Sequence, residues 1–148
     1  MTLPSDANFS AADSCFLSED SAAIDLPQHV DVLPDGRDTL VIGDPVGLSA
    51  YNHLQGDNAW GFQNTCGLVC CEDVLRQSGV DVTEADLAQY AREHGLCNIE
   101  GDLAACGGTH DEAQAWLLRD YGVPAHAETL TSVQELAEYV ESGKRCIV

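Results

Sequence analysis

Basic residues are the scarcest feature of this 148-residue chain: six Lys and Arg stand against 25 Asp and Glu, a formal net charge of -19. Nucleic acid binding needs clustered cations that displace condensed counterions, and no such cluster exists here. An anionic membrane surface repels a chain of this charge for the same reason. Long apolar runs are missing too, and nothing approaches the roughly 20 residues of a transmembrane helix. The first residues, MTLPSDANFSAADSCFLSED, have neither a basic start nor an apolar core, which excludes an ordinary secretory signal. We therefore expect no nucleic acid and no membrane partner, and a location that is cytoplasmic or reached as part of a larger exported protein.

What is present suits one globular domain. Apolar residues make up 45% of the chain, close to an average fold, and this length supports a single core. Seven cysteines, Cys15, Cys66, Cys70, Cys71, Cys97, Cys106 and Cys146, form an odd set that leaves at least one unpaired. Cys97 and Cys106 bracket a short loop and are candidates for pairing in an oxidising setting. Zinc sites usually present paired knuckles, and these spacings give none. A metal module drawing on these cysteines with His94 and His110 is thus a weak alternative, and no metal or organic cofactor is implied.

Residues 1–38 hold Pro4, Pro27 and Pro34, many Asp and Ser, and no sustained period, so they read as an irregular arm. Residues 39–148 read as the domain proper. Thr39 to Gly43 suits a short strand, and Asp44 to Leu54 a short helix with Asp44 as cap and Pro45 at its first position. Three later segments open on a hydroxyl residue followed three positions on by an acid: Thr83 with Asp86, Thr109 with Glu112, and Ser132 with Glu135. Each is expected to close at a glycine, Gly95, Gly122 and Gly143. Their apolar faces are Leu87, Tyr90, Ala91 and His94; Ala113, Trp116, Leu117 and Tyr121; and Val133, Leu136, Ala137 and Val140. A further helix runs from about Cys66 to Gly79, burying Leu68, Cys71 and Leu75 and pairing Glu72 with Arg76. Val123 to Glu128 and Arg145 to Val148 suit extended pieces. The second reads as a strand cut in mid-run, so the domain looks incomplete.

The chemistry concentrates around Cys66. A Gly- and Asn-rich approach, Gln55 to Thr65, delivers this thiol to the start of a helix, where the free N–H groups and the helix dipole favour a thiolate. Gly67 is expected to let a substrate backbone approach. An upstream glutamine can donate to an oxyanion. The competing reading is a buried, inert cysteine. Cys70 and Cys71 lie a turn inside the helix and read as core thiols.

The run QNTCGLVCCEDVLRQSGVDVTEADLAQYAREHG, followed by GGTHDEAQAWLLRDYGVPAH and SVQELAEYVESGKRCIV, resembles the bacteriocin-leader-processing branch of papain-like cysteine peptidases, especially bacterial members within large secreted or toxin-type proteins. The resemblance covers about Ala50 to Val148. It implies an α+β papain-like fold, a helical front half followed by the start of an antiparallel sheet, and thiol-dependent cleavage of a peptide or protein substrate. Cys66 would be the nucleophile and Gln55 or Gln63 the oxyanion donor, although neither glutamine has the family's usual spacing of about six residues. Gln55 is favoured if residues 58–62 are an insertion. The family's general-base His and its Asp or Asn partner lie beyond the strand that begins as RCIV, so a downstream segment or a partner would have to supply them. Of His29, His53, His94, His110 and His126, none matches that position, and His53 is the best local substitute. Without that base the chain would be inactive or nearly so. A non-catalytic binding domain on the same fold, and a deamidase or acyltransferase using the same thiol, are the alternatives.

Overall fold

The computed structural model describes residues 14–17 and 27–148. It is a mixed helix and strand structure of the α+β class. Strand β1 (Ser14–Leu17) pairs antiparallel with β4 (His126–Thr129), with Ser14 opposite Thr129 and Leu17 opposite His126. Strands β2 (Gln28–Val32) and β3 (Asp38–Ile42) form a hairpin with Val30 opposite Leu40. Helices α1 (Pro45–Leu48), α2 (Cys66–Gln77), α3 (Glu84–His94), α4 (Asp111–Asp120) and α5 (Val133–Glu141) complete the described elements.

The core lies where α2, α3 and α4 meet. Leu68, Cys71 and Leu75 of α2, Leu87 and Ala91 of α3, and Ala115, Leu117 and Leu118 of α4 are all buried. Val82, Val123, Ala125 and Ile147 close it at the ends. The expected spans of α2 and α3 agree with the structure, and Glu72 accepts from Arg76 at 3.2 Å. Thr83 and Asp86 form the capping box of α3, and Ser132 and Glu135 that of α5. Gly95 turns left-handed after α3, at φ +68°.

Several expectations need correction. The segment read as an irregular arm contains β1 and β2, because strands of four and five residues are too short to set a visible period. Helix α1 stops at Leu48: Ser49 Oγ turns back to Val46 O, and the next N–H groups bond three residues back instead of four. The cap of α4 is His110, whose Nδ1 accepts from Ala113 N, because the Thr109 hydroxyl is engaged by Gln114 Nε2. Trp116 points outward at 55% exposure, and its place on the buried side is taken by Ala115, Leu117 and Leu118. Val133 is exposed, and α5 buries no residue completely. Residues 145–148 form no strand; Ile147 instead enters the core.

One buried carboxylate ties the chain before α2 to α3. The Glu84 side chain, 1% exposed, accepts from Gly56 N, Asp57 N and Asn58 Nδ2 at 2.9–3.1 Å. Asn58 in turn accepts from Phe62 N and donates to Phe62 O, so the approach to Cys66 is stitched residue by residue. Burial pushes the Glu84 carboxyl up, but the hydrogen-bond donors gathered around it outweigh burial and hold the group below its ordinary value of 4.5. Folding thus lowers this pKa, so its contribution is complete above the unfolded value and is lost as pH falls through the folded one.

Glu84→Ala strands those donors and should cost about 3 kcal/mol or more in urea unfolding. Glu84→Gln keeps one acceptor and should cost less. The wild type should lose stability below pH 4.5 more steeply than Glu84→Gln; parallel pH profiles of the two proteins would refute the assignment.

Candidate thiol site at the start of helix α2

Cys66 is the first residue of α2 and is exposed. The helix N-cap, Thr65, makes no side-chain cap bond, whereas α3, α4 and α5 are capped by Thr83, His110 and Ser132. Val69 N is the first donor of the helix to bond back, to Thr65 O at 3.0 Å. The N–H groups of Cys66, Gly67 and Leu68 therefore have no acceptor within the helix.

The block behind the thiol is built from close approaches. A Cβ on Gly67 would fall 2.3 Å from Thr109 Oγ1 and 2.4 Å from Gln114 Nε2, two groups that hydrogen bond each other at 2.9 Å. The space at Gly67 is thus filled by the start of α4, and the glycine is needed for helix packing rather than for substrate approach. Gly107, at φ +95°, sits against Thr65 Cγ2, and Gly108 against Asn64 Nδ2. Backbone bonds lock the two loops together: Gln63 N to Leu103 O at 2.9 Å and Asn64 N to Cys106 O at 3.0 Å. Asn98 closes the second loop, bonding Gly108 O through its own N–H and accepting from Gly107 N, both at 2.8 Å.

Beside this block lies a cleft of about 520 Å³ lined by Asn64, Leu96, Cys97, Gly108, Thr109 and His110, among others. Asn64 was not singled out by sequence reasoning; the adjacent glycines Gly107 and Gly108 were the available signal that something packs tightly there. Gln55 and Gln63 belong to one linked loop, because Gln55 Nε2 donates to Gln63 O. Both glutamines are exposed.

The histidines lie apart from the thiol's own bonding. His53 Nε2 stands 3.3 Å from Glu84 Oε2 and 3.4 Å from Glu72 Oε2. His110 lines the cleft, but its Nδ1 is the acceptor that caps α4. In the neutral ring its proton is then on Nε2, which makes that nitrogen a donor. His94 stacks on Tyr90, and His126 is in β4 beside Glu128. Among the described residues no group of three or more His, Cys, Asp or Glu is placed to hold a metal ion.

Burial, the Asp73 charge and the neighbouring Cys66 push the Cys70 thiol up. Burial pushes the Cys71 thiol up further. Cys97 is raised by burial and by its neighbour Cys106, and both of these are free thiols. No family model matches the chain, and neither a curated protein nor a solved structure shows significant similarity to it.

Two outcomes follow. Gly67→Ala should cost about 1–3 kcal/mol by forcing Thr109 and Gln114 apart, and a second change, Thr109→Ala, should restore part of that loss; an unchanged urea midpoint for Gly67→Ala would refute the contact. Iodoacetamide at neutral pH should modify Cys66 about tenfold or more faster than Cys70 in the native protein, with Cys71 protected until unfolding. Peptide mass spectrometry reads the order, and equal rates at Cys66 and Cys70 would contradict it.

Proposed function

We propose that Cys66 is the nucleophile of a papain-like thiol hydrolase domain that cleaves peptide bonds in a peptide or protein substrate. The observation that carries this reading is the exposed thiol on the uncapped first turn of α2, backed by a rigid loop block whose Asn64 and Thr109 also line a cleft. Thiolate attack on a carbonyl carbon would place the developing oxyanion against the Cys66 N–H and a side-chain amide, and the departing amine would take a proton to complete acyl transfer. Gln55 remains the favoured amide; to serve, it must leave Gln63 O. The resemblance to bacterial toxin-associated peptidases supports the substrate class.

The general base is not one of the described histidines in their present bonding. His53 stands between two carboxylates, and the His110 nitrogen that could accept a proton already caps a helix. The reading therefore requires a base from outside the described residues, held in place by an Asp or Asn. This same observation favours the second reading, a binding domain on the same fold in which Cys66 is not catalytic.

Acylation separates the two. The native protein should be acylated at Cys66 by an activated ester such as a p-nitrophenyl peptide ester. The rate should exceed that of the urea-unfolded chain by about tenfold or more, and added imidazole, acting as a surrogate base, should speed turnover. Cys66→Ser should abolish the modification at that position. Acylation of native Cys66 no faster than in the unfolded chain would remove the nucleophile and leave the binding domain.

A further inference from the structure

The β2–β3 hairpin is a surface the thiol site does not use. It packs chiefly on itself, and no other described element contacts it extensively. A two-stranded hairpin alone is marginal in water. Its register nevertheless puts Val30, Val32, Leu40 and Ile42 on one face, since side chains of period two share a side and Val30 lies opposite Leu40. Val30, Val32 and Leu40 are 67%, 60% and 52% exposed.

The backbone phase adds a second property. Leu33 N bonds Arg37 O and Gly43 N bonds Pro27 O, both at 2.8 Å. Hydrogen-bonded pairs alternate along an antiparallel ladder, so residues 29 and 41, and 31 and 39, bond inward. Residues 28, 30 and 32 on one strand and 38, 40 and 42 on the other turn their N–H and C=O groups outward. The Asp31 carboxylate takes Val32 N, which blunts β2 at that end. The edge of β3 has no such blunting among the described residues. The residues that offer apolar side chains are thus also those that offer open backbone groups.

The third property is charge. Asp31, Asp35, Asp38 and Asp44 are exposed around the hairpin, and its one Arg or Lys, Arg37, is already paired with Asp35 at 2.7 Å. A second copy of a chain carrying -19 would set these carboxylates against their own kind, and like charges placed opposite one another oppose strand pairing. A strand alternating Lys or Arg with apolar residues meets all three properties: backbone partners at the edge, an apolar face to cover, and carboxylates at the rim.

We propose that the β2–β3 hairpin is a docking surface for a basic, apolar-alternating strand of a partner protein, which adds to the β3 edge. The apolar face supplies affinity and the aspartates select for a cationic partner and against self-association.

The test uses the whole chain and a short alternating Lys–Val peptide, with its Glu–Val counterpart as control, at near-physiological salt. Hydrogen exchange should slow at Leu40 and Ile42 on adding the Lys–Val peptide and should not change with Glu–Val. Val30→Thr/Leu40→Thr, which keeps β-branched or strand-compatible shapes, should weaken binding about tenfold or more, and Asp38→Asn, which removes an unpaired carboxylate at the start of β3, should weaken it and flatten its salt dependence. Exchange read at α2 and α3 shows that each variant is folded. Equal binding by the threonine variant, protection elsewhere than the hairpin, or dimerisation of the free chain through this edge in sedimentation would each overturn the proposal.

Discussion

Glu84 is the constraint on which the rest of the site depends. It occupies the first position of α3, where a carboxylate is favoured by the helix N-terminus. Yet its oxygens do not cap their own helix. They gather Gly56 N, Asp57 N and Asn58 Nδ2, and they face His53. A loop with no regular structure of its own is thereby given a fixed path from Tyr51 to Phe62. Phe62 is buried, and Gln63 and Asn64 then cross to the second loop. Removing the side chain would leave several part-buried donors without their acceptor at once, which costs more than any of these bonds contributes singly. The position of Cys66 is thus set from one side by α3, through a carboxylate, and from the other by α4, through Thr109 and Gln114.

That second support is steric. Gly67, Gly107 and Gly108 each let two pieces of chain come closer than a Cβ permits. At Gly67, Gly107 and Gly108 the facing side chains of Thr109, Gln114, Thr65 and Asn64 fill the space that a Cβ would take, so the contacts are closely packed. The thiol therefore stands on a block whose parts, α2, α4 and the 98–109 loop, cannot shift independently. Rigidity of this sort is what a nucleophile needs when misplacement by an ångström lowers the rate steeply.

The helices were legible because their signals are local. Thr83 with Asp86 and Ser132 with Glu135 are capping pairs readable in four residues, and the structure has both. The α+β class, which the resemblance implied, agrees with the mixed helices and strands of the structure. The strands β1 and β2 were not legible, since their partners lie across a turn or more than a hundred residues away and four or five residues carry little periodicity. Thr109 has the right spacing for a cap, but Gln114, five residues on in the same helix, donates to its hydroxyl and the task falls to the imidazole of His110. In the site, Cys66 at a helix start could be read from sequence. The tie from Gln55 to Gln63, the role of Gly67 as a packing glycine, and Asn64 in the cleft could not, because each depends on a loop that only Glu84 and the Gly107–Gly108 turn bring into place.

The two kinds of reading for Cys66 differ in what must approach it and from where. The side of α2 at Gly67 is filled by Thr109 and Gln114, and the helix interior below it by Leu68 and Cys71. The sulfur itself is exposed on the outer side of that packing. His110 lines the cleft, but using it as a base would require its ring to surrender the cap of α4 or to change tautomer, at the expense of a helix that carries Leu117 and Leu118 into the core. His53 would have to leave Glu72 and Glu84, exposing buried carboxylates that it now faces. Catalytic use of His53 or His110 thus carries a structural cost in bonds that the fold already uses.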